Sequence, residues 1–383
     1  MPRALSGGMT RQPGLLDKFL GLHWILVLVI CCIAIIGFAM LYSSSQGDFG
    51  TRTARQMIYF GVGLVLMTVV ALVHIRLVWQ MSYVIYGGVL LLLVGVEVIG
   101  QTGGGATRWL ELGPLRLQPS EIMKLALVMA LARYYHGLSI VEVAKYRNLM
   151  VPLFLIAAPA ALVIRQPDLG TTLLLAAGGV TVMFLAGVPR RVFAVGAIGA
   201  IAAGVVGYYQ LRDYQKKRIL TFLDPGSDPL GAGYHIQQSK IALGSGGVTG
   251  KGFGQGTQAH LDFLPEKQTD FIFTVLAEEF GFIGAVTILA LYTLVIIYGF
   301  IIALTARSQF SRLLALGVTT TFFLYVFINI AMVMGLIPVV GVPLPLVSYG
   351  GSAVMTLMLG MGLLMCVHVH KYISITRQGH SRA

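Results

Sequence analysis

The sequence predicts an all-α integral membrane protein of ten transmembrane helices, with one large extracytoplasmic loop between the seventh and the eighth. Three observations predict it. Of the 383 residues, 56% are hydrophobic and only 11% charged, and the mean hydropathy is +0.82, so the bilayer is the relevant solvent. Apolar runs of about twenty residues, the length that crosses the hydrocarbon, recur along the chain. A single long stretch, 212–269, runs polar and ends in Glu266-Lys267-Gln268-Thr269-Asp270 directly against Phe271-Ile272-Phe273.

The expected spans lie near 22–42, 56–74, 79–99, 118–136, 149–164, 171–188, 192–211, 271–304, 312–334 and 352–372. The first is too long for a signal peptide, and Tyr42-Ser43-Ser44-Ser45 is not a small-x-small cleavage site, so it is expected to remain as a helix. Short tails, 1–21 and 373–383, flank one polytopic domain, 22–372. If both ends are cytoplasmic, the inner segments hold Arg76, Arg133, Lys145, Arg147, Arg190, Arg191, Arg307, Arg312 and the basic residues of both tails. The short outer loops hold only Arg52, Arg55, Arg108, Arg116 and Arg165. That bias places the termini inside and the 212–269 loop outside, on the working face of the membrane. The net charge of +12 is largely this collar, and with no basic-aromatic platform a nucleic-acid partner is set aside. Cys31, Cys32 and Cys366 fall within predicted spans and read as packing residues. No repeat of 20–50 residues is visible, which weakens an inverted-repeat transporter.

Ionisable residues inside spans are costly and mark candidate sites. Glu121 and Lys124 stand three apart on the fourth helix and can pair. They read either as an ion pair that settles the bundle or, with Arg108 and the Gly103-Gly104-Gly105 loop, as the seat of a phosphate. Pro119 suits the first turn of that helix, and Glu97 lies near an interface. The run Gly244-Ser245-Gly246-Gly247-Val248-Thr249-Gly250-Lys251-Gly252 departs from the nucleotide-binding loop at Ser245 and Gly252. It is a flexible loop or a place where backbone approaches a ligand, with Lys240 and Lys251 nearby. Asp270 opens the eighth helix, as a cap or as a functional acid, and Thr274 and Glu278 extend a polar stripe from it. Pro338, Pro343, Pro345 and Ser348-Tyr349-Gly350-Gly351-Ser352 form an outer re-entrant stretch. Asn329, mid-span, reads as an interhelical hydrogen bond.

Five ordered motifs resemble the SEDS family (shape, elongation, division and sporulation) over essentially the whole chain. They are Arg108-Trp109 with Leu117-Gln118-Pro119-Ser120-Glu121-Ile122-Met123-Lys124; Gln166-Pro167-Asp168-Leu169-Gly170-Thr171; Phe222-Leu223-Asp224-Pro225; Phe263-Leu264-Pro265-Glu266 leading to Thr269-Asp270-Phe271-Ile272-Phe273; and Pro343-Leu344-Pro345 with Ser348-Tyr349-Gly350-Gly351-Ser352. Gly256-Thr257-Gln258 and Leu261-Asp262-Phe263 resemble the elongation branch more than the division branch. Gln268 stands where the family commonly has His.

The resemblance implies a lipid II-dependent peptidoglycan glycosyltransferase that works with a class B penicillin-binding protein and the elongation machinery, with Asp270 as its catalytic acid residue. The expected arrangement has Asp270 deprotonating the acceptor hydroxyl. Arg108 and Lys124 neutralise the donor pyrophosphate, held by Glu121 and Lys240, while Asp168 completes the cavity wall and Ser348 belongs to the substrate contacts. No resident metal ligands are expected, and a divalent cation (Mg or Mn) bridging carboxylate and pyrophosphate is left open. A lipid II flippase, a division-type polymerase and an inactive scaffold are the alternatives.

Overall fold

The computed structural model describes residues 14–103, 106–112, 115–208, 216, 220–221, 224, 232–261, 263–264, 266–376 and 381–382. Gly104, Gly105, Phe222, Leu223, Pro225, Asp262, Pro265 and both outermost tails lie outside the described residues. In chain order the helices are α1 (Leu15–Leu20), α2 (Trp24–Ser44), α3 (Thr51–Leu72), α4 (Ile75–Ile99), α5 (Pro119–His136), α6 (Ile140–Val143), α7 (Met150–Arg165), α8 (Leu169–Leu185), α9 (Arg190–Tyr208), α10 (Ala232–Ser245), α11 (Thr257–His260), α12 (Ile272–Thr305), α13 (Gln309–Val333) and α14 (Gly351–Val369). Between α4 and α5 an antiparallel meander of β1 (Gln101–Gly103), β2 (Ala106–Leu112) and β3 (Leu115–Leu117) replaces the glycine loop expected there. Near the C-terminus β4 (Ser374–Ile375) pairs with β5 (Ser381–Arg382).

Among the described residues seven helices are long and apolar enough to cross a membrane: α2, α3, α4, α7 together with the 3₁₀ turn Tyr146–Leu149 that leads into it, α12, α13 and α14. α8 is a shorter apolar helix. The remaining two expected spans coincide with α5, which carries Glu121, Lys124 and Arg133, and with α9. Burial separates centre from periphery. The apolar windows of α13 and α14 are each 72% buried, those of α3, α4 and α12 only 28%, so α13 and α14, with the almost wholly buried α5, form the axis while α3, α4 and α12 turn a face outward. α13 packs on α5, α8, α12 and α14, and α14 packs along α3.

The span expected at 271–304 is broken. An unbroken 34-residue helix would be about 51 Å long at 1.5 Å per residue, far beyond a hydrocarbon core of about 30 Å. Gly281 (φ 63°, ψ −157°) interrupts it, and the glycine-rich run after α10 fills the break. Lys251 N and Gly252 N donate to the Glu278 and Glu279 carbonyls, each at 3.0 Å. Phe282 N and Ile283 N donate to Gly247 O and Val248 O at 2.9 and 3.1 Å. Broken backbone at membrane depth is stable only when its polar groups are satisfied in this way. The run is therefore neither a loose loop nor a ligand cradle, because Gly246 and Gly250 close directly on the backbone of α12.

A Cβ at Gly250, whose φ is +82°, would lie 2.1 Å from Glu279 O. Gly250→Ala is expected to destabilise the protein by about 2–4 kcal/mol, from overpacking and left-handed strain together. Thermal unfolding in detergent reads it; an unchanged midpoint would contradict the splice.

The polar stripe expected from Asp270 leads to this same region. Thr274 and Glu278 are fully buried. Thr274 Oγ1 pairs with Ser239 Oγ of α10 at 2.8 Å, and Lys251 Nζ donates to Glu278 Oε1 at 2.7 Å. α10, inside the stretch expected to be loop, thus packs on α12 and fastens its first half.

Candidate active site

At one end of the bundle the starts of α5, α8, α12 and α14 converge with the meander and the Gly341–Gly350 stretch. They line an open cavity of about 200 Å³. Its lining includes Arg108, Trp109, Gln118, Glu121, Asp168, Thr171, Asp270, Tyr325 and Tyr349. The helix turns rich in basic residues, between α3 and α4, α5 and α7, α8 and α9, and α12 and α13, lie at the other end.

Each side chain is placed by local chemistry. Pro119 occupies the first turn of α5, where its missing N–H costs nothing, and sets Glu121 at the cavity floor. Lys124 Nζ donates to Glu121 Oε1 at 2.5 Å and to the Tyr325 hydroxyl. Tyr325 donates to Glu121 Oε2 at 2.6 Å, and Lys124 sits 4.4 Å from the centre of its ring. All three are buried. The two carboxylate oxygens and the ammonium are thus each hydrogen-bonded, the condition for tolerating charge in a low-dielectric interior. Tyr325 had not been singled out from the sequence. The available signal was a hydroxyl in mid-span, which must find a partner when buried.

Asp168 caps α8 by accepting from Thr171 N at 3.1 Å, and its other oxygen accepts from Thr171 Oγ1 at 2.8 Å and Gln118 Nε2 at 3.3 Å. Gly170 lets the first turn of α8 close on the re-entrant stretch, since a Cβ there would lie 2.4 Å from Val340 O. Arg108, carried in on β2, lies across the preceding turn. Its Nε donates to Gln166 O at 3.3 Å and Nη2 to Pro167 O at 2.6 Å, with Nη1 3.8 Å from Asp168 Oδ2. A guanidinium has five donors, so this docking fixes the side chain and leaves N–H groups over for a ligand. With 31% of it exposed, it can meet one.

Asp270 does not cap α12, whose N-cap is Phe271. It follows a tight turn headed by Glu266 in the left-handed region (φ 57°), closed by Thr269 N and Phe271 N donating to Glu266 O at 3.1 and 3.3 Å. Three consecutive carbonyls of this segment are clasped from outside. Tyr349 N donates to Gln268 O at 2.8 Å, Ser348 Oγ to Thr269 O at 2.6 Å, and Asn329 Nδ2 to Asp270 O at 2.9 Å. The Gln268 side chain bonds Ser45 Oγ at 3.2 Å and accepts from Arg52, tying the segment to α2 and α3.

Arg108, Glu121, Asp168 and Asp270 therefore meet around one cavity, with Lys124 directly behind Glu121. Two expected ligands lie elsewhere. Lys240 runs along Gly335 at the end of α13 and is not part of the cavity lining. Ser348 lies just outside the lining and spends its hydroxyl on the Asp270 segment, accepting from Leu344 N at 2.7 Å as it donates to Thr269 O. Glu97, at the same end, approaches Arg165 at 4.0 Å.

The fold and the cavity together define a polytopic helical membrane protein with an acid-and-cation site at one end of its spans. Residues 22–373 match the model of the FtsW/RodA/SpoVE family, described as cell cycle proteins, and the chain belongs to that family. It is 45% identical over 348 residues to the peptidoglycan glycosyltransferase MrdB of Escherichia coli (strain K12), covering 90% of this chain and 93% of the relative. Its fold is similar to a chain of a peptidoglycan synthase complex that coordinates polymerization and crosslinking, at 34% identity and a TM-score of 0.80 over 92% of this chain and 98% of that one. The rod shape determining protein RodA of Thermus thermophilus gives 30% identity and a TM-score of 0.70 over the same shares.

Proposed function

We propose that this chain polymerises lipid II into glycan strands during cell elongation, on the outer face of the bacterial inner membrane and beside a class B penicillin-binding protein. It is a peptidoglycan glycosyltransferase. Ten spans, α2, α3, α4, α5, α7, α8, α9, the second part of α12, α13 and α14, put the cavity outside and both termini in the cytoplasm, because the basic turns then fall inside.

The observation that carries the reading is a partly exposed carboxylate, Asp270, at a cavity whose walls also hold Arg108, Asp168 and Glu121. Asp270 takes the proton of the acceptor sugar hydroxyl as its oxygen attacks the donor's anomeric carbon. The bond from that carbon to the lipid pyrophosphate breaks, and this leaving group departs already ionised, so no general acid is needed. One carboxylate plus cations suffices, unlike the acid pair of a glycosidase. Arg108 contacts the pyrophosphate, Lys124 acts through Glu121 and Tyr325, and Asp168 holds Arg108 in place.

A divalent cation, Mg or Mn, held by Asp168 or Asp270 beside the pyrophosphate, would add positive charge against the leaving group. Among the described residues no group of three or more His, Cys, Asp and Glu is placed to hold an ion, so substrate phosphates and water would complete its coordination. Chelator titration of the purified enzyme is expected to cut polymer yield at least ten-fold, with recovery on adding Mg or Mn; unchanged yield would remove the cation from the account. Polymerisation by the purified chain with its transpeptidase tests the proposal as a whole.

A further inference from the structure

Asn329 sits near the C-terminal end of α13, fully buried, and spends both amide hydrogens on backbone carbonyls. One goes to Asp270 O at 2.9 Å, the other to Val342 O at 2.7 Å. Its own Oδ1 has no hydrogen-bond partner among the described residues. The amide satisfies two carbonyls and strands its own acceptor, an incompletely satisfied polar group inside the bundle. Local violations of that kind collect at functional sites.

The two carbonyls belong to the segments that make the Asp270 corner. Val342 lines the cavity, and its neighbour Gly341 lies so close to the carboxylate that a Cβ there would stand 3.4 Å from Asp270 Oδ2. One helical turn earlier on α13 is Tyr325, hydrogen-bonded to both Glu121 and Lys124. Residues four apart share a helix face and are about 6 Å apart along the axis. A single rigid face of α13 thus fastens the Asp270 segment at one point and the Glu121-Lys124 pair at the next.

We infer that Asn329 is a positioning residue for the glycosyl transfer: it pins the Asp270 backbone to Val342 and, with Tyr325 on the same face of α13, fixes the distance between the base and the charged pair. The inference rests on the reading of Asp270 as the base. Asn329 touches no substrate, so it acts on the transfer step more than on substrate capture. Displacement of a reacting group by about 1 Å costs on the order of 10²-fold in rate.

Asn329→Leu and the smaller, neutral Asn329→Ser, each purified with the transpeptidase partner, are assayed against a lipid II titration beside wild type and Asp270→Asn. In both Asn329 variants kcat is expected to fall about 10–100-fold, while KM for lipid II stays within about two-fold and the thermal midpoint within a few degrees. Should Asn329→Leu fail to fold, Asn329→Ser carries the test. Wild-type kcat in a folded Asn329 variant, or a loss in which KM and the thermal midpoint move together with kcat, overturns the inference while inactive Asp270→Asn leaves the base reading standing. Wild-type kcat in Asp270→Asn sinks both.

Discussion

Replacing Asp270 by asparagine is expected to cut kcat for glycan polymerisation by about 10²–10⁴-fold, the usual contribution of a positioned general base, and to leave the fold intact. The clasp explains why the two effects separate. Gln268, Thr269 and Asp270 are each held through a main-chain carbonyl, so the substitution removes the basic oxygen without touching these bonds. Gel analysis of strands made from lipid II reads the first effect and thermal unfolding in detergent the second. A kcat within ten-fold of wild type would contradict the role.

The second large effect is thermodynamic. Lys124→Met leaves Glu121, 4% exposed, without the ammonium that neutralises it, and breaking a buried pair from one side costs about 3–5 kcal/mol. The double variant Glu121→Gln/Lys124→Met removes the stranded charge and is expected to recover most of that stability, since the members of a contacting pair are not additive. Activity is expected to stay lost in both, because the cavity floor has lost its ionic pair. Equal stability of Lys124→Met and wild type, or a double variant as unstable as the single, would show that the pair is not the closed unit the geometry describes.

Glu121 and Lys124 were legible as ionic groups inside an apolar run, where burial is expensive and needs a reason. Asp270 was legible as an acid at the edge of one and Arg108 as the cation of the loop leading to them, whereas Asp168 was legible only through the family resemblance. Tyr325 was not, since an aromatic inside a span looks like packing until its hydroxyl is located. Asn329 looked like an interhelical bond and is one, but its partners are two carbonyls of other segments, and main-chain partners leave no trace in side-chain patterns. The bonds of Ser348 to Leu344 N and Thr269 O are hidden in the sequence for the same reason. Lys240 looked adjacent to the site because it neighbours the glycine-rich run in sequence, and α10 turns it toward Gly335. The glycine run advertised close approach without naming what approaches, which proved to be the break in α12. The length of α12 alone required that break, and the alternation of residues 101–117 was too short and glycine-rich to disclose the meander.

The central claim is that a carboxylate at the outer end of a helical bundle catalyses strand synthesis on a lipid-anchored sugar. It is tested most directly by giving lipid II to the purified chain and its transpeptidase in detergent micelles, where there is no leaflet to cross. The account predicts muramidase-sensitive glycan strands from wild type and none from Asp270→Asn. Strands made equally well by both proteins, or by neither, would contradict it.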